Sequence, residues 1–256
     1  MTVTTYQGDC LELMGSIPDH SVDMVLCDLP YGTTRNEWDV TIPMEQLWES
    51  YHRIVRGGGA IALFCQAPFS YVVGASNMKE FRYEWVWRKN TITGQLNANR
   101  TPLKCHENIM IFCDKAPPYN PQVTHTAPKV IKDSPSNSSI YDRCGKRDGV
   151  RMVDYTYPWD VIDFDVNKDE KIHPTQKPVA LCEYLIKTYT DEGMTILDNC
   201  MGSGTTGVAA VQTGRNFIGI EKDENYYAKA VERISNAEYK VRNRTTLDSF
   251  MGGTAR

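Results

Sequence analysis

The sequence predicts an α/β fold built on a mostly parallel sheet. Short apolar runs of strand length alternate with segments whose apolar residues recur at helical spacing. Two of the runs end on an acid at the mouth of a polar loop, at Asp28 and at Asp198. The second continues as Asn199-Cys200-Met201-Gly202-Ser203-Gly204-Thr205-Thr206 and then a helix, the strand–turn–helix order of a nucleotide cradle.

Residues 22–27, VDMVLC, read as a buried strand feeding a functional loop. Met44, Leu47, Trp48, Tyr51 and Ile54 predict a helix over 44–54, which Gly57-Gly58-Gly59 stops. Ala60 to Cys65 is a second buried strand. Phe81–Trp87 and Asn108–Cys113 have strand character too, separated by a positively charged polar loop from Lys89 to Lys104. These elements compose a first half, 1–113.

Residues 114–172 break the alternation, being rich in Pro, Ser, Asn, Asp and Lys. A structureless stretch this long is unusual inside a compact domain, so it is an inserted binding region or a disordered segment. Tyr141, Tyr155, Tyr157 and Trp159 favour partial order, and Ala116-Pro117-Pro118-Tyr119 reads as a linker. Lys129, Lys132, Arg143, Lys146, Arg147 and Arg151 outnumber the nearby acids, which suits phosphate contacts. A solvated loop of neutral function would look similar.

The α/β pattern resumes in 173–245, a second half that opens on His173-Pro174-Thr175-Gln176-Lys177-Pro178. A helix carrying Leu181, Leu185 and Ile186 follows, then the strand Thr195–Leu197, the glycine turn and a helix with Val208, Ala209 and Val211. Asn216–Ile220 is the next strand and ends at Glu221. A last amphipathic helix spans about 223–237, and 246–256 is expected to be a frayed tail.

The length of 256 residues and 41% hydrophobic content suffice for one sizeable core. A formal charge of −4 gives no global nucleic-acid signature and leaves a local basic patch open. The N-terminus lacks the pattern of a secretory leader, and no apolar run approaches membrane-spanning length. A cytoplasmic chain without a membrane partner is expected. The eight cysteines include no CxxC pair and several sit in apolar runs, as buried free thiols in a reducing compartment do. No metal site is expected.

Gly202 and Gly204 allow a tight turn and close backbone approach, while Thr205 and Thr206 can cap the helix or offer hydroxyls. Glu221, 17 residues beyond Gly204, can accept hydrogen bonds from two ribose hydroxyls. A plain tight turn would also explain the glycines. A dinucleotide is a rival ligand, because Gly207 falls where the third glycine of its fingerprint belongs. Asp198 favours S-adenosylmethionine, which carries an amino-acid ammonium that a dinucleotide lacks.

Asp28-Leu29-Pro30-Tyr31 directly follows its strand. Asp28 can accept from an exocyclic amine, Pro30 stiffens the loop so that a backbone carbonyl can accept a second proton, and Tyr31 offers a flat face for stacking. An aromatic amine is a poor nucleophile because its lone pair is delocalised into the ring. Two acceptors favour a more tetrahedral nitrogen, and alignment supplies the rest. A base in a duplex must first leave the stack. An ordinary strand-terminal turn uses the same residue types.

Together these motifs resemble the beta group of DNA amino-methyltransferases over nearly the whole chain. Asp28-Leu29-Pro30-Tyr31 matches that family's Asp-Pro-Pro-Tyr motif, with Leu29 in place of the first proline. Asp198 to Thr206 matches its cofactor loop, with Asn199-Cys200 replacing a Pro-Phe pair. The resemblance implies a Rossmann-like methyltransferase fold: a mostly parallel seven-stranded sheet, helices on both faces, and permuted motif order. It implies catalytic roles for Asp28, Pro30 and Tyr31. It places S-adenosylmethionine against Asp9, Cys10, Asp28, Thr175, Lys177, Asp198, Cys200, Met201, Gly202, Ser203, Gly204, Thr205, Glu221 and Lys222. His106-Glu107 matches an element near the substrate pocket.

The family's adenine-N6 members carry Asp at the first catalytic position and its cytosine-N4 members more often Ser, so Asp28 favours adenine. Double-stranded DNA is the implied partner, met by Arg35, Lys89, Arg100, Lys104, Lys129, Lys132, Arg143, Lys146, Arg147 and Arg151. A homodimer, a cognate restriction endonuclease and a prokaryotic or phage source accompany many such enzymes. RNA or protein-amide methylation, or a silent DNA-binding protein on the same fold, are the alternatives.

Overall fold

The computed structural model describes residues 1–32, 41–133, 149–166 and 176–251, with backbone alone for 132–133, 149–151 and 244–251. Two compact units divide the chain: 1–120 with 160–256, and Pro121–Trp159.

The main unit holds β1 (Val3–Gln7), α1 (Cys10–Met14), β2 (Val22–Asp28), α2 (Met44–Ile54), β3 (Val55–Cys65), α3 (Phe69–Ser76), β4 (Phe81–Thr93) and β5 (Lys104–Phe112). The smaller unit contributes β6 (Thr124–Asp133) and β7 (Gly149–Thr156), an antiparallel pair in which Lys129 stands opposite Val153 and Ile131 opposite Arg151. The main unit resumes with β8 (Val161–Asp163), α4 (Val179–Tyr189), β9 (Thr195–Asp198), α5 (Thr205–Gln212), β10 (Asn216–Glu221) and α6 (Glu224–Met251). Within the 114–172 stretch, then, the separate unit is 121–159, and β8 joins the main sheet.

That sheet runs β1-β10-β9-β2-β3-β5-β4-β8. It has eight strands rather than the seven expected. The first five are mutually parallel, β5 is antiparallel to both neighbours, and β8 is parallel to β4. The antiparallel pairing follows from the link between β4 and β5, Gly94–Leu103, which is a turn and not a helical crossover. The three residues of β8 bury only Ile162 on the sheet, too short a pattern to announce a strand.

Alternation along each central strand feeds two cores. Met24, Leu26, Ala60, Ala62, Phe64, Ile109, Ile111 and Ile196 face α4, α5 and α6 through Leu181, Leu185, Val208 and Ile234. Val25, Cys27, Ile61, Leu63, Met110, Phe112 and Leu197 face α1, α2 and α3 through Met14, Leu47, Tyr51 and Val73. A fully buried Leu, Ile, Val or Phe contributes about 1.5–3 kcal/mol, so each helix is held by its apolar stripe.

The helix over 44–54 is found as expected, but Gly57-Gly58-Gly59 lie inside β3. Val22 pairs with Val55 and Met24 with Ala60, so the glycines form a bulge, and a Cβ on Gly59 would stand 2.8 Å from the Asp23 carbonyl. Two elements also outrun their expected ends: β4 continues through Lys89 to Thr93, and α6 continues to Met251.

Candidate active site

The chain leaves the centre of the sheet in two directions. From β9 it passes through α5 to β10, and from β2 through α2 to β3, with the two helices on opposite faces. Such a reversal opens a crevice beyond the carboxyl ends of the central strands. Asp28 and Asp198 end the two strands that meet there, and Glu221 ends the next.

The glycine turn is fastened from behind. The Met201 amide donates to the Ile220 carbonyl at 2.9 Å, and Arg233 Nη1 donates to the Ser203 carbonyl and to Thr205 Oγ1, both at 3.0 Å. Gly202 has φ +50° with open space where a Cβ would stand, so the turn exposes its backbone there. Gly204, at φ +77°, packs against Ala230, where a Cβ would lie 3.0 Å away. Met201, Ser203 and Thr205 are buried, which leaves the turn's backbone to meet a ligand.

Asp198 is 4% exposed. Its Oδ1 accepts from the Cys200 amide at 3.1 Å, and among the described residues it has no ion pair. Burial pushes its carboxyl up to about 7, against hydrogen bonds from Thr206, Cys200 and Cys27. Glu221 accepts from the Gly202 amide at 2.8 Å and the Asp223 amide at 2.9 Å, and burial raises its carboxyl too. Asp9 caps α1 through the Leu11 amide at 3.0 Å and pairs with the exposed Lys222 at 3.1 Å, bringing the N-terminal segment beside Glu221. Cys10 and Cys200 line the same region as free thiols.

The two departures from the family pattern are both absorbed by packing. Leu29 is 3% exposed and anchors its loop in the α1–α3 core. Asn199 is buried and accepts from the Tyr51 hydroxyl at 2.6 Å, tying α2 to the cofactor loop.

Around Asp28 the structure assembles a charged chain. The Tyr31 hydroxyl donates to Asp28 Oδ1 at 2.9 Å, while the Tyr31 ring stacks on Phe69 with centroids 5.0 Å apart. Lys177 Nζ donates to Asp28 Oδ2 at 2.7 Å and stands 3.0 Å from Glu107 Oε2. Lys89 Nζ donates to Glu107 Oε1 at 2.7 Å. Lys177 also lies over the Phe64 ring, 5.2 Å from its centroid. Burial pushes the Asp28 carboxyl above its usual range, helped by the Glu107 charge and opposed by Lys177. Burial opposes ionisation of Glu107 as well, but its two ammonium partners hold it below the usual range.

Glu107, which joins the chain of charges at Asp28, was underweighted by the sequence reading; the signal available was the His106-Glu107 pair. Lys89, expected at the DNA backbone, instead has its ammonium on Glu107 and a side chain only 10% exposed, because β4 continues through it. Lys177, expected at the cofactor, bridges the two carboxylates. Arg100 and Lys104 are exposed at the carboxyl edge of the sheet, and Lys129 is exposed on β6. Lys132 and Arg151 lie on β6 and β7. Arg35, Arg143, Lys146, Arg147 and Thr175 lie outside the described residues, as does His173. Among the described residues no group of His, Cys, Asp or Glu could hold a metal ion, and no helix is long and apolar enough to cross a membrane.

The chain is similar in sequence and fold to known proteins. The type II methyltransferase M.HinfI of Haemophilus influenzae is 23% identical over 90% of this chain and 68% of its own length. The crystal structure of the M1.HpyAVI–SAM complex superposes with a TM-score of 0.61 at 22% identity, covering 91% of this chain and all of that one. The cytosine-N4-specific PvuII DNA methyltransferase gives 0.64 at 16% identity, over 95% of this chain and 93% of its own. With the strand that ends at Asp28 preceding the one that leads into the glycine turn, and residues 22–232 matching the N6/N4 methyltransferase family described as DNA methylase, the chain belongs to that family as a beta-class amino-methyltransferase.

Proposed function

We propose that the chain transfers the methyl group of S-adenosylmethionine to the exocyclic N6 amine of an adenine turned out of double-stranded DNA. The observation that carries this reading is the pairing of two strand-end acids at the sheet's reversal: Asp28, held by Tyr31 and Lys177, beside Asp198 at the glycine turn.

The residues fit the cofactor. Asp198 is a buried carboxyl with no described cationic partner, a receptor for an ammonium. Glu221 presents a carboxylate beside the open Gly202 backbone, where ribose hydroxyls can be bound. Gly202, Ser203 and Gly204 supply close backbone approach, with Asp9, Cys10, Cys200 and Lys222 alongside. When bound, the cofactor supplies a methyl group on a positively charged sulfur.

The chain's own residues prepare the amine. Asp28 accepts one amine proton as a hydrogen bond, and a carbonyl of the Pro30 loop accepts the other, which draws the nitrogen lone pair out of conjugation. Tyr31 stacks on the base with the face turned from Phe69. Lys177 keeps Asp28 ionised and oriented, so the acceptor is preorganised. The amine proton leaves to water after transfer. Asp28, rather than serine, at this position supports adenine. Arg100, Lys104 and Lys129 are the described side chains proposed for phosphate contact, and the 121–159 unit is the proposed recognition region.

The test is transfer of labelled methyl from S-adenosylmethionine to unmethylated genomic DNA, followed by nucleoside mass spectrometry. N6-methyladenine is expected. N4-methylcytosine would keep the chemistry and overturn the base. Labelling of RNA or protein in place of DNA would reassign the substrate, and cofactor binding without any transfer would make this a silent binding protein.

A further inference from the structure

We propose that Leu96, at the tip of the β4–β5 hairpin, enters the DNA and occupies the space the target base leaves. The inference rests on the reading that a base is drawn from a duplex, and it assigns the residue that holds the duplex open.

Strand direction sets the place. β4 is antiparallel to β5, which is antiparallel to β3, so β4 ends on the same edge of the sheet as β2 and β3. That edge carries Asp28, and β4 and β5 bring Lys89 and Glu107 into the site. Beyond Glu107 the ladder continues to Lys104 opposite Thr93, roughly 10 Å further out at strand spacing. The turn therefore stands beyond the catalytic acid on the side a DNA substrate approaches.

The tip is a firm structure. Gly94 adopts φ +93° and starts a 3-10 turn over Gln95–Asn97. The Asn97 and Ala98 amides donate to Gly94 and Gln95 carbonyls at 2.9 and 3.2 Å, and the Arg100 and Thr101 amides both donate to the Asn97 carbonyl, at 2.8 and 3.0 Å. A turn closed by four backbone hydrogen bonds presents Leu96 with its backbone already ordered, which lowers the cost of inserting it.

The chemistry suits a wedge. Leu96 is fully exposed at 102%, more than Ile92 nearby on the same hairpin at 52%, and amides and cations stand around it: Gln95, Asn97, Asn99, Arg100 and Lys104. A single exposed leucine is ordinary on a protein surface. This one is held on a rigid turn at the catalytic edge, flanked by phosphate- and base-pairing groups. Apolar side chains inserted between bases act this way when a duplex is opened, and the cost of extrusion falls when the target is mispaired.

The experiment compares wild type and Leu96→Ala on a duplex carrying the mapped recognition sequence, with the target adenine either paired or mispaired. The expected result is a loss of about tenfold or more in kcat on the paired duplex, unchanged S-adenosylmethionine binding and melting temperature, and recovery to within about twofold of wild type on the mispaired duplex. An unchanged rate on the paired duplex overturns the proposal. So does an equal loss on both duplexes, which would make Leu96 an ordinary binding contact. A wild-type enzyme that methylates no DNA sinks the parent reading and the wedge with it, a result distinct from either of those.

Discussion

Lys177 sets its ammonium 2.7 Å from one oxygen of Asp28, and Glu107 holds the same ammonium from 3.0 Å on its other side. Two acids thus share one cation, and Lys89 satisfies the second oxygen of Glu107. Removing different members should move Asp28 in opposite directions. Lys177→Met leaves two carboxylates facing each other, so Asp28 holds its proton to higher pH and the acidic limb of kcat/KM moves up. Glu107→Gln removes the repulsion that raises Asp28 and leaves it sole claim on the ammonium, so the limb moves down. Tyr31 and Asp198, which also bear on Asp28, are the same in both variants. Shifts of the same sign in pH–rate profiles of the two variants would refute the shared-cation account.

Asp28 itself should be required for transfer and dispensable for the cofactor. In Asp28→Ala the amine loses its charged acceptor, while Asp198, Glu221 and the glycine turn keep their hydrogen bonds. Methyl transfer should fall by at least about two to three orders of magnitude, with the S-adenosylmethionine Kd within about threefold of wild type. Radiolabel transfer and calorimetric titration measure the two separately. Residual transfer near the wild-type rate would remove Asp28 from the chemistry.

The strand-end acids were legible because β2, β9 and β10 are buried apolar runs, and a buried strand that stops on an acid marks the functional edge of an α/β sheet. The permuted order was legible because the glycine turn follows the second of these acids, Asp198, and the Asp-Leu-Pro-Tyr motif begins at the first, Asp28. The charged chain around Asp28 was harder to read. Lys177 and Asp28 lie 149 positions apart, and Glu107 meets Lys89 only because Trp87 registers opposite Glu107 across β4 and β5. Lys89 follows a basic residue and precedes polar ones, so its letters describe a loop, whereas the ladder carries the strand through it. The glycine bulge at 57–59 escaped likewise: three glycines end a helix on paper, and here they let β3 begin directly at Val55.

Cofactor binding should depend on pH through Asp198. Its carboxyl ionises near 3.8 in the unfolded chain and at about 7 in the folded one, because burial disfavours the charge. Between those values the native state holds a proton that the unfolded state has released, so native stability falls as pH rises through the window. An incoming ammonium reverses this penalty. Binding of S-adenosylmethionine should therefore tighten as pH rises towards 7, by up to about tenfold per pH unit, and level off above it. Asp198→Asn should flatten both the pH dependence of binding and the loss of melting temperature of the free protein. A wild-type Kd that stays constant from pH 5.5 to about 8 would exclude this role.

Gly207 tests the packing beneath the cofactor turn. In an exposed helix, glycine to alanine gains about 1 kcal/mol from propensity. Here a Cβ would stand 2.5 Å from Ile234 Cδ1 and 2.7 Å from the Phe217 ring, wedging α5 away from α6 and β10. Overpacking of that kind costs about 1–3 kcal/mol, which outweighs the propensity gain, so Gly207→Ala should lower the melting temperature. The displaced helix begins at the glycine turn, so S-adenosylmethionine affinity should fall with it. Ile234→Ala removes one of the two obstructing side chains, so the double variant should lose less than the sum of the single losses. A Gly207→Ala protein that melts above wild type would show that α5 and α6 can separate freely, and the turn would then owe its position to Arg233 and the Met201 amide rather than to this contact.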